Sequence, residues 1–113
     1  MGQQALILRN RGDLQGALNL HKEEERLFRE LGNLHDLSVA LNNQALVLSE
    51  TGDLDGALAL YKEKKDICRS LGNLTGLART LGNEAGIFYN RGNTDRALAL
   101  LKEEQGVFRK AGD

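Results

Sequence analysis

Proline is absent from this chain of 113 residues, and aromatic residues make up only 4% of it. Without proline, no position forces a break in a helix. The chain also has a single cysteine, Cys68, so no internal disulfide can form, and this weakly indicates a reducing compartment. Leucine is the commonest residue, and alanine, glutamate and arginine are frequent; all four favour helices.

The chain also lacks a charge of one dominant sign and any long hydrophobic run. Its formal net charge is −1, and no run of lysine and arginine covers a whole helix face, which argues against nucleic acid as the main partner. No apolar stretch approaches the roughly 20 residues that span a bilayer. No signal peptide is visible, because Met1 leads directly into a helical pattern. We therefore expect a cytoplasmic protein with no membrane partner.

Glycine, in contrast, is abundant and recurs every 20 residues. Glycine tolerates the left-handed backbone that ends a helix, and Asp and Asn accept hydrogen bonds from the free N–H groups that begin the next one. The spacing predicts five turns between six antiparallel helices, with a last pair at the end of the chain. The pattern consists of six glycines, each followed by Asp or Asn: Gly12, Gly32, Gly52, Gly72, Gly92 and Gly112.

The full repeat is 40 residues long and contains two helices, A and B. The segment 16–23 recurs at 56–63 and, less closely, at 96–103. In such arrays each repeat packs on its neighbours, and about three repeats are the minimum for stability. We predict A helices at about 1–11, 34–51 and 74–91, and B helices at about 14–31, 54–71 and 94–111. The chain is then one domain, 1–113, with repeats at 1–33 (its first helix short), 34–73 and 74–113.

Each helix carries an apolar stripe at helical spacing, which predicts its buried face. His21 aligns with Tyr61, and Cys68 aligns with Phe28, so we interpret both as core residues. The charged runs at 22–26 and 62–66 are expected to lie mostly on the outer, solvated side of helix B. The predicted buried stripes are Leu14, Ala17, Leu18, His21, Phe28 and Leu31 in the first B helix, Leu54, Ala57, Leu58, Tyr61, Cys68 and Leu71 in the second, and Leu37, Leu41, Ala45 and Leu48 in the A helix between them.

The residues around the middle turn form a recognisable pattern: Ala45 in the middle of helix A, the turn Gly52-Asp53-Leu54, Ala57 three residues later and Tyr61 four beyond that. This pattern resembles the tetratricopeptide repeat. The 40-residue length resembles the longer variant found in large signalling and scaffold proteins. The chain departs from the family in three ways: Gly-Asn replaces the proline after helix B, the first helix A begins late, and charged residues replace a small one at Glu24, Lys64 and Glu104.

The resemblance implies an all-α, right-handed α-solenoid that is not an enzyme and has no cofactor. Its concave groove, lined by the A helices, would bind a peptide or a partner helix. Amide side chains on this face suit a peptide backbone, because they donate and accept hydrogen bonds. The candidate residues lie on the A-helix face opposite the buried stripe: Gln3, Leu6, Asn10, Val39, Asn42, Asn43, Leu46, Ser49, Arg79, Asn83, Tyr89 and Asn90.

Two features of this face are open to more than one interpretation. Leu46 fits a ligand groove, but it also fits a helix that is packed on more than one side. Gly82 and Gly86 lie one turn apart. They would let a partner approach closely, or they would simply weaken the helix by about 1 kcal/mol each relative to alanine.

The competing hypothesis is a structural spacer without a ligand of its own, from a longer array or an engineered self-assembling repeat protein. Catalysis is not expected, because no catalytic set of residues converges, and His35 beside Asp36 falls short of the three or four ligands of a metal site. The last B helix has no following A helix in this sequence to cover it. We therefore also expect concentration-dependent self-association through uncapped ends, involving Leu101, Val107 and Phe108.

Overall fold

The computed structural model describes residues 13–112, which form helices and no strand. The all-α prediction is confirmed, and each described helix begins at the predicted residue. The predicted first helix lies outside the described residues, so a sixth helix and the handedness of the stack stay predictions. The five helices are α1 (Leu14–Leu31), α2 (Leu34–Thr51), α3 (Leu54–Leu71), α4 (Leu74–Asn90) and α5 (Thr94–Gly112).

The chain divides into two compact units, residues 1–63 and 64–113. In the first unit α1 packs against α2, and in the second unit α4 packs against α5. Helix α3 contributes its first half to one unit and its second half to the other. Within residues 13–112, no helix is both long and apolar enough to cross a bilayer.

Four turns contain the left-handed glycine that the sequence predicts. The φ angles are +67° at Gly32, +91° at Gly52, +68° at Gly72 and +82° at Gly92. After the first of these, the Asn33 N–H donates to the Phe28 carbonyl at 3.0 Å, which is the longer bond of the Schellman motif. Residues with a side chain are strained in this conformation, so the glycine spacing fixes where the helices end.

The residue after each of these glycines caps the next helix, also as predicted. The Gly56 N–H donates to Asp53 Oδ1 at 2.9 Å, and Gly76 makes the same bond to Asn73. Such a cap stabilises a helix by about 1 kcal/mol. A Cβ added to Gly56 would lie 2.5 Å from Asp53 Oδ2. The glycine at the third helical position therefore makes room for the capping carboxylate.

The core of the first unit joins α1 to α2. Ala17 and Leu18 of α1 cluster with Val47 of α2, and Leu48 packs against them while only partly buried. Ala45 is fully buried as well. The small residues Ala45, in the middle of α2, and Ala17, in the first turn of α1, therefore both lie inside the packed surface.

The core of the second unit combines the end of α3 with α4 and α5. Leu81 is fully buried at its centre, and Cys68 is a free, buried thiol beside it. The interpretation of Cys68 as a core residue is confirmed. Phe88 and Val107 pack against this cluster while partly buried. The buried members are Cys68, Leu77, Leu81, Ala85, Ala97 and Leu100.

Two leucines assigned to the buried stripes are instead at the surface. Leu31 is 67% exposed and Leu71 is 44% exposed, so the prediction is wrong at both. Each is the last residue of its helix, where the stripe runs past the packed surface. Spacing alone does not show where along a helix the neighbouring helix ends.

In the charged runs of α1 and α3, Glu24 and Lys64 are buried, and Glu25, Glu63 and Lys65 are partly buried. The expectation of a mostly solvated face holds at the remaining positions, Lys22, Glu23, Arg26, Lys62 and Asp66. Glu24 Oε1 lies 3.1 Å from Nδ1 of His21, which is itself buried as predicted. The charge at Glu24 therefore has a polar partner inside the packed surface.

Candidate functional site

One face of α2 stays accessible, while the opposite side is buried in the middle of the helix. Leu37, Leu41, Gln44 and Ala45 recur at helical spacing on the buried side. On the other side Val39 is 48% exposed. The remaining candidates on this helix are partly exposed: Asn42, Asn43, Leu46 and Ser49.

The corresponding face of α4 is more open. Arg79, Asn83 and Asn90 are exposed, one or more turns apart on the same side of the helix. Tyr89 is 67% exposed beside them. Four of the predicted residues therefore lie on one accessible surface of the second unit.

The accessible positions of α2 and α4 are equivalent in the repeat. Asn43 and Asn83 are 40 residues apart, as are Val39 and Arg79. We use the name A-helix stripes for these two surfaces, one in each unit, defined by the accessible candidates of α2 (Val39, Asn42, Asn43, Leu46, Ser49) and of α4 (Arg79, Asn83, Tyr89, Asn90). The other three candidates, Gln3, Leu6 and Asn10, lie outside the described residues.

Leu46 is neither a core residue nor a free surface residue. It is partly buried, in contrast to Ala45 beside it, which is fully buried. The partial burial agrees with a helix that is packed on more than one side, and a role of Leu46 in a ligand groove stays a prediction. A partner could contact only the exposed portion of this side chain.

Sequence reasoning missed a polar pair that joins each B helix to the next A helix. In the first unit, Gln44 Nε2 donates to Glu25 Oε1 at 2.6 Å. In the second unit, Lys65 Nζ lies 2.9 Å from Glu84 Oε1. The two groups form an ion pair whose geometry does not meet that of a hydrogen bond. The pairs occupy equivalent repeat positions, but their chemistry differs. The signal available in the sequence was the polar residue at this position of each A helix, Gln44 and Glu84, among buried apolar neighbours.

The buried charge at Lys64 lies near the only thiol. Burial lowers the pKa of Lys64; the nearby Cys68 opposes this shift, and Arg79 adds to it. Burial also raises the pKa of the Cys68 thiol, against the effect of Lys64. A thiol with a raised pKa is protonated at neutral pH and is a poor nucleophile. This pair therefore supports a packing role for Cys68 rather than a reactive one.

The residues predicted to mediate self-association differ in their accessibility. Leu101 is 40% exposed and Phe108 is 48% exposed. Val107 is partly buried and packs against the core of the second unit. Within residues 13–112, no group of three or more His, Cys, Asp and Glu side chains is placed to hold a metal ion.

Comparison with known sequences identifies the repeat. The sequence profile of the tetratricopeptide repeat matches residues 36–110, from the first turn of α2 to the last turns of α5. No curated protein matches the chain. The matched segment includes both A-helix stripes.

Proposed function

Because the chain belongs to the tetratricopeptide repeat family, whose repeats generally mediate protein–protein interaction, we propose that it binds a protein or peptide segment through its A-helix stripes. In the family such surfaces line a concave groove. The observation that carries the proposal is the recurrence of one accessible stripe, in the same register, on two A helices whose other side is buried in the middle of the helix.

The composition of the stripes supports this proposal. Only Arg79 among their members is charged, and Tyr89 presents an exposed ring. Interfaces are enriched in tyrosine and arginine and depleted in lysine and glutamate. The exposed outer face of α1, by comparison, carries Lys22 and Glu23. The stripes are therefore the better surface for a partner.

The amides give the proposal a mechanism. Asn43 and Asn83 each offer one acceptor and two donors, and each stands on an accessible side of its helix. The carbonyl and NH2 groups of each amide can pair with the N–H and C=O groups of an extended segment. A net stabilisation of about 0.5–1.5 kcal/mol per hydrogen bond is expected.

We expect the Asn43→Ala/Asn83→Ala double variant to bind peptides about tenfold more weakly than the parent. Two lost hydrogen bonds amount to about 1–3 kcal/mol, and every 1.4 kcal/mol or so is a factor of ten in Kd. A peptide-array screen followed by titration of the peptides that bind measures this. Asn19→Ala is the matched control, because Asn19 is exposed on α1 and bonds Gln15 within the same helix. A parent that binds no peptide would favour the spacer hypothesis.

Self-association through α5 is a second candidate, favoured by the exposure of Leu101 and Phe108. Apolar side chains on one helix can cover each other in a pair of chains. Sedimentation over about a hundredfold range of concentration should then show association of the parent and less of Phe108→Glu, because a buried charge opposes contact. A strict monomer throughout, unaffected by that substitution, would end this candidate.

A further inference from the structure

A groove opens in the second unit between α4 and α5. Its volume is about 380 Å³, within the range of about 300–1,000 Å³ typical of ligand sites. No charged residue lines it. The lining residues are Gly82, Ala85, Gly86, Tyr89, Asn90, Thr94, Ala97, Leu98 and Leu101.

Missing side chains on α4 create the space. A Cβ added to Gly86 would meet no atom within 4 Å, so this position faces open space. Gly82 differs, because a Cβ there would collide with the Glu104 carboxylate. Gly86 therefore keeps the groove open, while Gly82 lets the carboxylate approach α4.

The preceding repeat has larger side chains at two of the equivalent sequence positions. Leu46 stands 40 residues before Gly86, and Tyr61 stands 40 residues before Leu101. Leu46 is partly buried and Tyr61 is only 1% exposed. Where the second repeat supplies a leucine and an aromatic ring of its own, the third supplies a hydrogen atom and a shorter side chain.

The rim of the groove is apolar and accessible. Tyr89 and Leu98 are both more than half exposed, and Leu101 is less so. Asn90 and Thr94 bring polar groups to the end of the groove near the turn. The surroundings therefore suit an uncharged apolar group whose attached backbone bonds to amide side chains.

We propose that this groove binds one bulky apolar side chain, of leucine or phenylalanine size, from the bound peptide segment. The inference rests on the proposed function and names the residue type that the α4 stripe selects. Asn83 and Asn90, on the same side of α4, bind the backbone that carries this side chain. The size and apolar character of this group match Leu46 and Tyr61, which stand at the sequence positions of Gly86 and Leu101 one repeat earlier.

The test uses a displayed library of random 12-residue peptides, selected on the parent chain. Selected peptides should share one large apolar residue, and alanine at that position should weaken binding at least tenfold. Gly86→Leu restores the residue of the preceding repeat and should also weaken binding at least tenfold. It should raise Tm by a few degrees, because leucine is a far better helix former than glycine.

Gly106→Leu is the matched control. Gly106 lies in α5, outside the groove and with open space around it. Gly106→Leu should therefore raise Tm by as much as Gly86→Leu does and bind peptides with the affinity of the parent. If the selected peptides bind the Asn43→Ala/Asn83→Ala variant more weakly than the parent but bind Gly86→Leu as tightly as the parent, the groove proposal is overturned and the proposed function stands. No selected binder at all would overturn both. If Gly86→Leu alters the self-association of the chain but not its peptide affinity, the groove binds a second copy of the chain and the proposal is overturned.

Discussion

Replacing Lys65 by methionine should destabilise the second unit by about 3–5 kcal/mol, because removing one partner of a buried ion pair leaves the other charge uncompensated. The Lys65 and Glu84 side chains are 14% and 7% exposed, and Nζ lies 2.9 Å from Oε1. A loss of this size is a large part of the total stability of about 5–15 kcal/mol of a typical domain. Urea unfolding measures it, with the exposed Lys62→Met in the same helix as control.

A double substitution separates the pair from the lysine itself. Lys65→Glu with Glu84→Gln reproduces the Glu25–Gln44 pair of the first unit, in which the amide donates to the carboxylate at 2.6 Å. We expect it to recover most of the stability that Lys65→Met loses. Equal stability of Lys65→Met and Lys62→Met would show that the ion pair does not hold α3 to α4.

Leu81→Ala should lower the free energy of unfolding by about 2–5 kcal/mol, the range for truncating a fully buried leucine. Leu81 has no exposed surface and lies in the cluster of α3, α4 and α5 residues. Its truncation leaves a cavity that a close-packed core fills only in part. Thermal or urea unfolding gives the value.

Leu98→Ala is the control for this truncation, since Leu98 is 51% exposed on α5 in the same unit. Its loss should be well below that of Leu81→Ala, because less apolar surface leaves the core. Similar losses at both positions would mean that Leu98 is covered in solution. The second core would then extend beyond the described contacts.

The helices could be predicted from the sequence because their ends are determined locally. A glycine that needs positive φ and an Asp or Asn that caps the next helix act over a few residues, and Gly52 with Asp53 shows both. The burial of Leu41 and Ala45 follows from helical spacing in the same way. These features require no knowledge of the neighbouring repeat.

The remaining features depend on contacts between distant residues. Gln44 and Glu25 are 19 positions apart, and nothing in either local segment predicts their bond. Burial at Lys64 depends on which helices lie over α3. The open space beside Gly86 likewise depends on the residues of α5, and the approach of a partner at this position stays a prediction.

Hydrogen exchange of the chain with and without a peptide from the array screen tests partner binding by the A-helix stripes most directly. Bound peptide should slow amide exchange in residues 39–50 of α2 and 79–90 of α4, the segments that carry the stripes. The charged outer faces of α1 and α3 should be unaffected. Slower exchange only in residues 18–30 of α1 and 58–70 of α3, with none in α2 and α4, would contradict binding by the A-helix stripes.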